Sequence, residues 1–95
     1  MAAMKILTRP SYLRSLKNFS SKEITEINSA IARLPEALGK PHLHQGLSVR
    51  KLRRAIFEVR AGLHTRILFV QESGDIVLAF AGDHNQVRAW LKENL

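Results

Sequence analysis

The chain has 95 residues, 45% of them apolar and 6% aromatic, and a formal net charge of +7. That length supports one small domain over residues 1–95, and the apolar content excludes general disorder. The absence of cysteine excludes disulfides, thiolate zinc sites and cysteine nucleophiles, and fits a reducing compartment.

Met4-Lys5-Ile6-Leu7-Thr8 reads as a short first strand, ended by Arg9-Pro10 because proline removes a ladder donor. Tyr12, Leu13, Leu16 and Phe19 follow at helical spacing, with Pro10 suited to the first turn. Ser20-Ser21-Lys22-Glu23 is a capping-box pattern that starts a second helix. Its apolar stripe is Ile24, Ile27, Ile31, Leu34 and Leu38, and Gly39 and Pro41 end it. A polar connector, Lys40 to Gly46, leads to Val49–Arg53, read as an additional strand or a lead-in. Three further strands are expected over Ala55–Ala61, Thr65–Gln71 and Ile76–Ala81, with turns at Gly62-Leu63 and Ser73-Gly74-Asp75. The last two are apolar on both faces, as in central strands covered on both sides. Asp83 is a natural N-cap with Gln86 three residues on, and Val87, Trp90 and Leu91 form the apolar face of a closing helix. The order predicts an α+β domain: a mostly antiparallel sheet of about four strands, two N-terminal helices packed on one face and a short C-terminal helix.

The longest apolar run, Ile76 to Ala81, is far too short to span a membrane, and Met1-Ala2-Ala3-Met4-Lys5 is too short for a signal peptide. A cytoplasmic protein with no membrane partner is therefore expected. Charge is uneven: residues 50–66 carry Arg50, Lys51, Arg53, Arg54, Arg60 and Arg66 against Glu58 alone, a segment charge of +5. Such a run either solvates a face or attracts a polyanion. His42 and His44 lack a third ligand in view, so no metal is assigned, and no cofactor is expected. Trp90 is read as core, and His64 as an exposed turn residue with a base contact as the alternative.

Phe57-Glu58-Val59-Arg60, followed by Thr65-Arg66-Ile67-Leu68-Phe69-Val70, resembles the paired-strand pattern of the RelE/ParE toxin superfamily of type II toxin–antitoxin systems. Leu47 to Leu52, ending in the pair Lys51-Leu52, is similar to the family's lead-in, and Gly82-Asp83-His84-Asn85-Gln86-Val87-Arg88-Ala89-Trp90 to its final block. The likeness runs from about Met4 to Leu91. Arg88 stands where many ribonuclease members have a tyrosine.

Metal-free RNA cleavage needs a base for the 2′-OH, a counter-charge for the phosphorus oxyanion and an acid for the leaving 5′-oxygen. The resemblance implies a ribosome-associated mRNA endoribonuclease neutralised by an acidic antitoxin and oligomeric in that complex. Arg60 and Arg66 would hold the phosphate if both share one sheet face, with Val59 and Ile67 on the other. His84 would exchange protons or merely top its helix, and Arg88, one turn on, would share its side. Lys51, Arg53 and Arg54 are the candidates for binding flanking RNA. Glu58 is expected to pair with Arg60 or Arg66, or to act as a base. The alternative within the resemblance is a ParE-like toxin that inhibits DNA gyrase through protein contacts, or an inactive homologue acting as a binding module.

Overall fold

The computed structural model describes residues 4–39, 49–53 and 55–94 of the chain. The expected connector with His42 and His44, the stop at Pro41, Leu47 at the head of the basic lead-in and the candidate Arg54 lie outside these residues. The elements are β1 (Ile6–Thr8), α1 (Pro10–Ser15), a 3-10 turn (Leu16–Asn18), α2 (Ser21–Ala32), α3 (Leu34–Gly39), β2 (Val49–Arg53), β3 (Ile56–Ala61), β4 (Thr65–Glu72), β5 (Asp75–Gly82) and α4 (His84–Asn94). The strands form one five-stranded sheet in the order β1-β5-β4-β3-β2. All its pairings are antiparallel except β1 with β5, which is parallel. Val49–Arg53 is thus a full edge strand, one more than the four expected.

The Ser20 capping box is complete: Glu23 N donates to Ser20 Oγ, and Ser20 N donates to Glu23 Oε1. The single long second helix that the apolar stripe predicts is broken at Arg33 into α2 and α3. Pro35 is the physical reason, because it has no N–H to give the Ile31 carbonyl and its ring crowds that turn. The stripe survives the break. Ile27, Ile31 and Leu34 are buried with Tyr12 against Val59, Ile67, Phe69, Ile76 and Leu78 of the sheet, and Phe57 stacks on Phe69 with ring centroids 5.3 Å apart.

Strand β5 does not alternate strictly. Leu68 pairs with Phe80, but Phe69 pairs with Leu78, leaving Ala79 as a bulge. The extra residue reverses side-chain parity. Ile76 and Leu78 face the N-terminal helices, whereas Phe80 turns to the opposite face and stacks on Trp90 of α4 at 5.8 Å. Leu68, Val70 and Val77, also buried, alternate to this second face. Two serines of α1 bind the backbone at and beside the bulge: Ser11 Oγ donates to Ala79 O at 2.6 Å, and Ala81 N donates to Ser15 Oγ at 3.0 Å. Ser15 is buried and its hydroxyl donates in turn to Tyr12 O.

Ser15→Ala removes the acceptor of a buried N–H and should cost about 1–3 kcal/mol, read as a lower urea midpoint with an unchanged slope. The hydrogen bonds from Ser20 hold the Glu23 carboxyl below its ordinary pKa, the backbone bond contributing most. A depressed folded value stabilises the protein above the unfolded pKa, and this contribution is lost as pH falls through the folded value. Glu23→Gln should therefore flatten the acid side of the stability–pH curve, measured by thermal melts.

Candidate functional site

One end of the sheet gathers the charged residues. Arg60 pairs in register with Arg66, and Arg66 with Gly82. Val59 and Ile67 are fully buried in the core beneath the N-terminal helices, and alternation starts Arg60 and Arg66 from the opposite face. Arg60, however, lines a separate cavity of about 450 Å³ with Thr25, Glu26 and Ser29 of α2, so the structure does not bring the two arginines to one site. The turn joining β3 to β4 is Gly62-Leu63-His64, closed by the Ala61–Thr65 pair, with Gly62 at φ 73°. It folds over this same end of the sheet, and β5 delivers α4 to it through Gly82-Asp83. His64, Arg66 and His84 consequently line one groove of about 240 Å³, with Leu63, Asp83 and Asn85.

His84 is held by the start of its helix. Asp83 N donates to Gln86 Oε1 at 2.9 Å, and Gln86 N donates to Asp83 Oδ1 at 2.8 Å, the reciprocal cap that the sequence predicts. Gly82 permits the close approach of that first turn. A Cβ there would lie 2.9 Å from both Gln86 Cβ and Phe80 Cε2.

Glu58 lies beneath the arginines, its side chain 5% exposed. Arg66 Nη1 donates to both its oxygens at 3.2 Å, and Arg50 Nη2 donates to Oε2 at 3.2 Å. Its partners are therefore Arg66 and Arg50, the latter directly opposite on β2, and no ion pair joins it to Arg60 among the described residues. Directly opposed like charges are unfavourable across a sheet, and one carboxylate serves the arginine cluster.

The remaining candidates divide. Arg88 lines a different cavity from His84, of about 480 Å³, with Arg53, Ala89, Leu91 and Lys92. Lys51 pairs with Phe57, on the helix-bearing face, and the ladder shifts register between Lys51 and Arg53. The alternation that would have aligned Lys51 with Arg53 is lost at Leu52, and only Arg53 joins α4. His64, read from sequence as an exposed turn residue, is exposed but belongs to the groove. Its signal was a position two residues before Arg66, on a turn that must fold over the arginine end. The chain's single tyrosine, Tyr12, is buried under α1 on the other side of the sheet, where burial raises its pKa. It therefore lies apart from the groove of His64, Arg66 and His84.

No family model and no curated protein matches the sequence. Solved structures do. The RelB–RelE antitoxin–toxin complex from Methanococcus jannaschii matches over 88% of this chain and 96% of that one, at 15% identity and a TM-score of 0.67. The archaeal RelE–RelB complex from Pyrococcus horikoshii OT3 matches over 90% and 99%, at 11% identity and 0.69. The chain has the RelE toxin fold. YafQ from E. coli strain BL21(DE3) shares it at 8% identity and a TM-score of 0.67, over 88% of this chain and 97% of that one. No described helix of this RelE-fold chain is long and apolar enough to cross a membrane.

Gly82→Ala should cost about 1–3 kcal/mol by overpacking and should displace the His84 ring, read as a shift of its imidazole NMR signals larger than those of His64.

Proposed function

We propose that the chain is the toxin of a type II toxin–antitoxin pair and that it cuts messenger RNA by metal-free transesterification. The observation that carries this reading is the groove that His64, Arg66 and His84 line together. Two imidazoles supply what the reaction needs near neutral pH. One accepts the 2′-OH proton as the O2′–P bond forms, and the other donates a proton to the 5′-oxygen as the P–O5′ bond breaks. The products are a 2′,3′-cyclic phosphate and a 5′-hydroxyl. Arg66 balances the charge that develops on phosphorus, a task suited to a guanidinium that is always protonated.

The second cavity continues the positive surface. Arg88 and Lys92 stand about 6 and 12 Å along the α4 axis from His84, at 1.5 Å per residue, and Arg53 meets them from β2. Arg88 then binds a flanking phosphate rather than the scissile one. The same surface, cationic with Ala89 and Leu91 between the charges, suits an acidic amphipathic antitoxin segment. Solved RelE-fold toxins are seen with antitoxins, among them the YoeB–YefM complex from Staphylococcus aureus.

A gyrase-directed, ParE-like action by protein contacts is favoured by Arg88 at the tyrosine position and by the burial of Tyr12. Induced expression of the chain without an antitoxin, with mapping of RNA 5′ ends, separates the two. Cuts within translated messages are expected, reduced about 10²–10⁴-fold in His84→Ala or Arg66→Ala. Growth arrest with intact messages would overturn the ribonuclease reading in favour of a protein target.

A further inference from the structure

Glu58 is the one charged residue among the described residues to be buried, 4% exposed, on a sheet face where its buried neighbours are the apolar Leu68, Val70 and Val77. Burying a carboxylate costs several kcal/mol before its partners compensate. Packing does not require it, since apolar replacement of a buried ion pair is often neutral or stabilising.

We propose that Glu58 is a positioning residue for RNA cleavage: its carboxylate fixes the Arg66 guanidinium so that the free edge of that group meets the scissile phosphate. The proposal rests on the ribonuclease reading given above. Both Glu58 oxygens receive Arg66 Nη1 at 3.2 Å, and Oε2 also receives Arg50 Nη2. A guanidinium carries five N–H groups. With Nη1 turned to Glu58, the N–H groups of Nη2 and Nε remain, the side that binds two phosphate oxygens together. The Arg66 side chain is only 17% exposed, against 64% for Arg50, so Arg66 is anchored while Arg50 lies over the pair as a lid. Glu58 itself cannot be the base. It is 5% exposed on its side chain, its oxygens face guanidinium hydrogens, and it does not line the groove with His64 and His84.

The test compares wild type, Glu58→Gln, Arg66→Ala and the double variant, with purified chains cutting a message in a translation reaction and thermal melts confirming folding. Glu58→Gln should lower cleavage by about 10- to 100-fold. It should add nothing in the Arg66→Ala background, because the two act as a unit. Its pH–rate profile should keep both limbs. Arg50→Ala, which leaves the Glu58–Arg66 contact, should stay within about 2-fold of wild type. If Glu58→Gln fails to fold, Glu58→Asp, one methylene shorter, is expected to lose activity in the same way. Wild-type cleavage by Glu58→Gln, a further loss in the double variant, or disappearance of the acid limb would overturn the proposal. The Arg66 guanidinium NMR signals give a reading independent of cleavage: slow rotation in the wild type is expected, becoming fast in Glu58→Gln. Fast rotation in an active wild type sinks the positioning role alone, whereas slow rotation in a chain that cuts nothing sinks the ribonuclease reading alone.

Discussion

The bulge at Ala79 is the constraint on which the two-faced architecture depends. With strict alternation, Ile76 and Leu78 on the core face would bring Phe80 and Gly82 to that face too. Trp90 would then have no ring to stack on, and α4 would leave the sheet from the wrong side. One extra residue inverts the parity just before the strand ends, and Ser11 and Ser15 bind the backbone groups there. A helix packed on one face thereby settles which side chains the other face presents. Polar backbone groups that would be costly to bury become the joint between α1 and β5.

The two sides of the sheet carry different loads. Beneath the N-terminal helices lies a core of aliphatic and aromatic side chains, closed by the Phe57–Phe69 stack. On the α4 side, apolar contact includes the middle of β4 and β5, the buried Val87 of α4 and the Phe80–Trp90 pair, and charge collects where the strands end. Arg66 lies there and shares the Glu58 carboxylate with Arg50. Such an arrangement is not the most stable that the fold could hold. It leaves a positive potential at one end of the sheet, where association with a polyanion is steered by charge.

Much of this was legible in the chain. Both capping boxes could be read from Ser20/Glu23 and Asp83/Gln86, because capping depends on residue type at fixed short spacing. The register of Arg66 opposite the core followed from the period of two and from the apolarity of Ile67, whereas alternation could not show that Arg60 lines a cavity with α2. What escaped was non-local or lay in the backbone. The stripe from Ile24 to Leu38 stays periodic across Pro35, so apolar spacing alone could not show the break at Arg33. The shift between Lys51 and Arg53 and the bulge at Ala79 depend on pairing with a partner strand, which alternation within one strand cannot reveal. His64 joined the groove through the fold of the hairpin, and Arg88 left it because α4 runs away from His84 toward β2.

The parallel pairing of β1 with β5 joins Ile6 to Ile76, residues far apart in sequence. Hairpin contacts among β3, β4 and β5 are local and form quickly, but closing a loop of that length makes the last pairing slow and late. During synthesis, β1 and the helices that follow it emerge first and have no sheet to dock on until β5 has left the ribosome. The α4 face is assembled only after that, so the nascent chain carries no complete groove until His84 and the helix it opens are made.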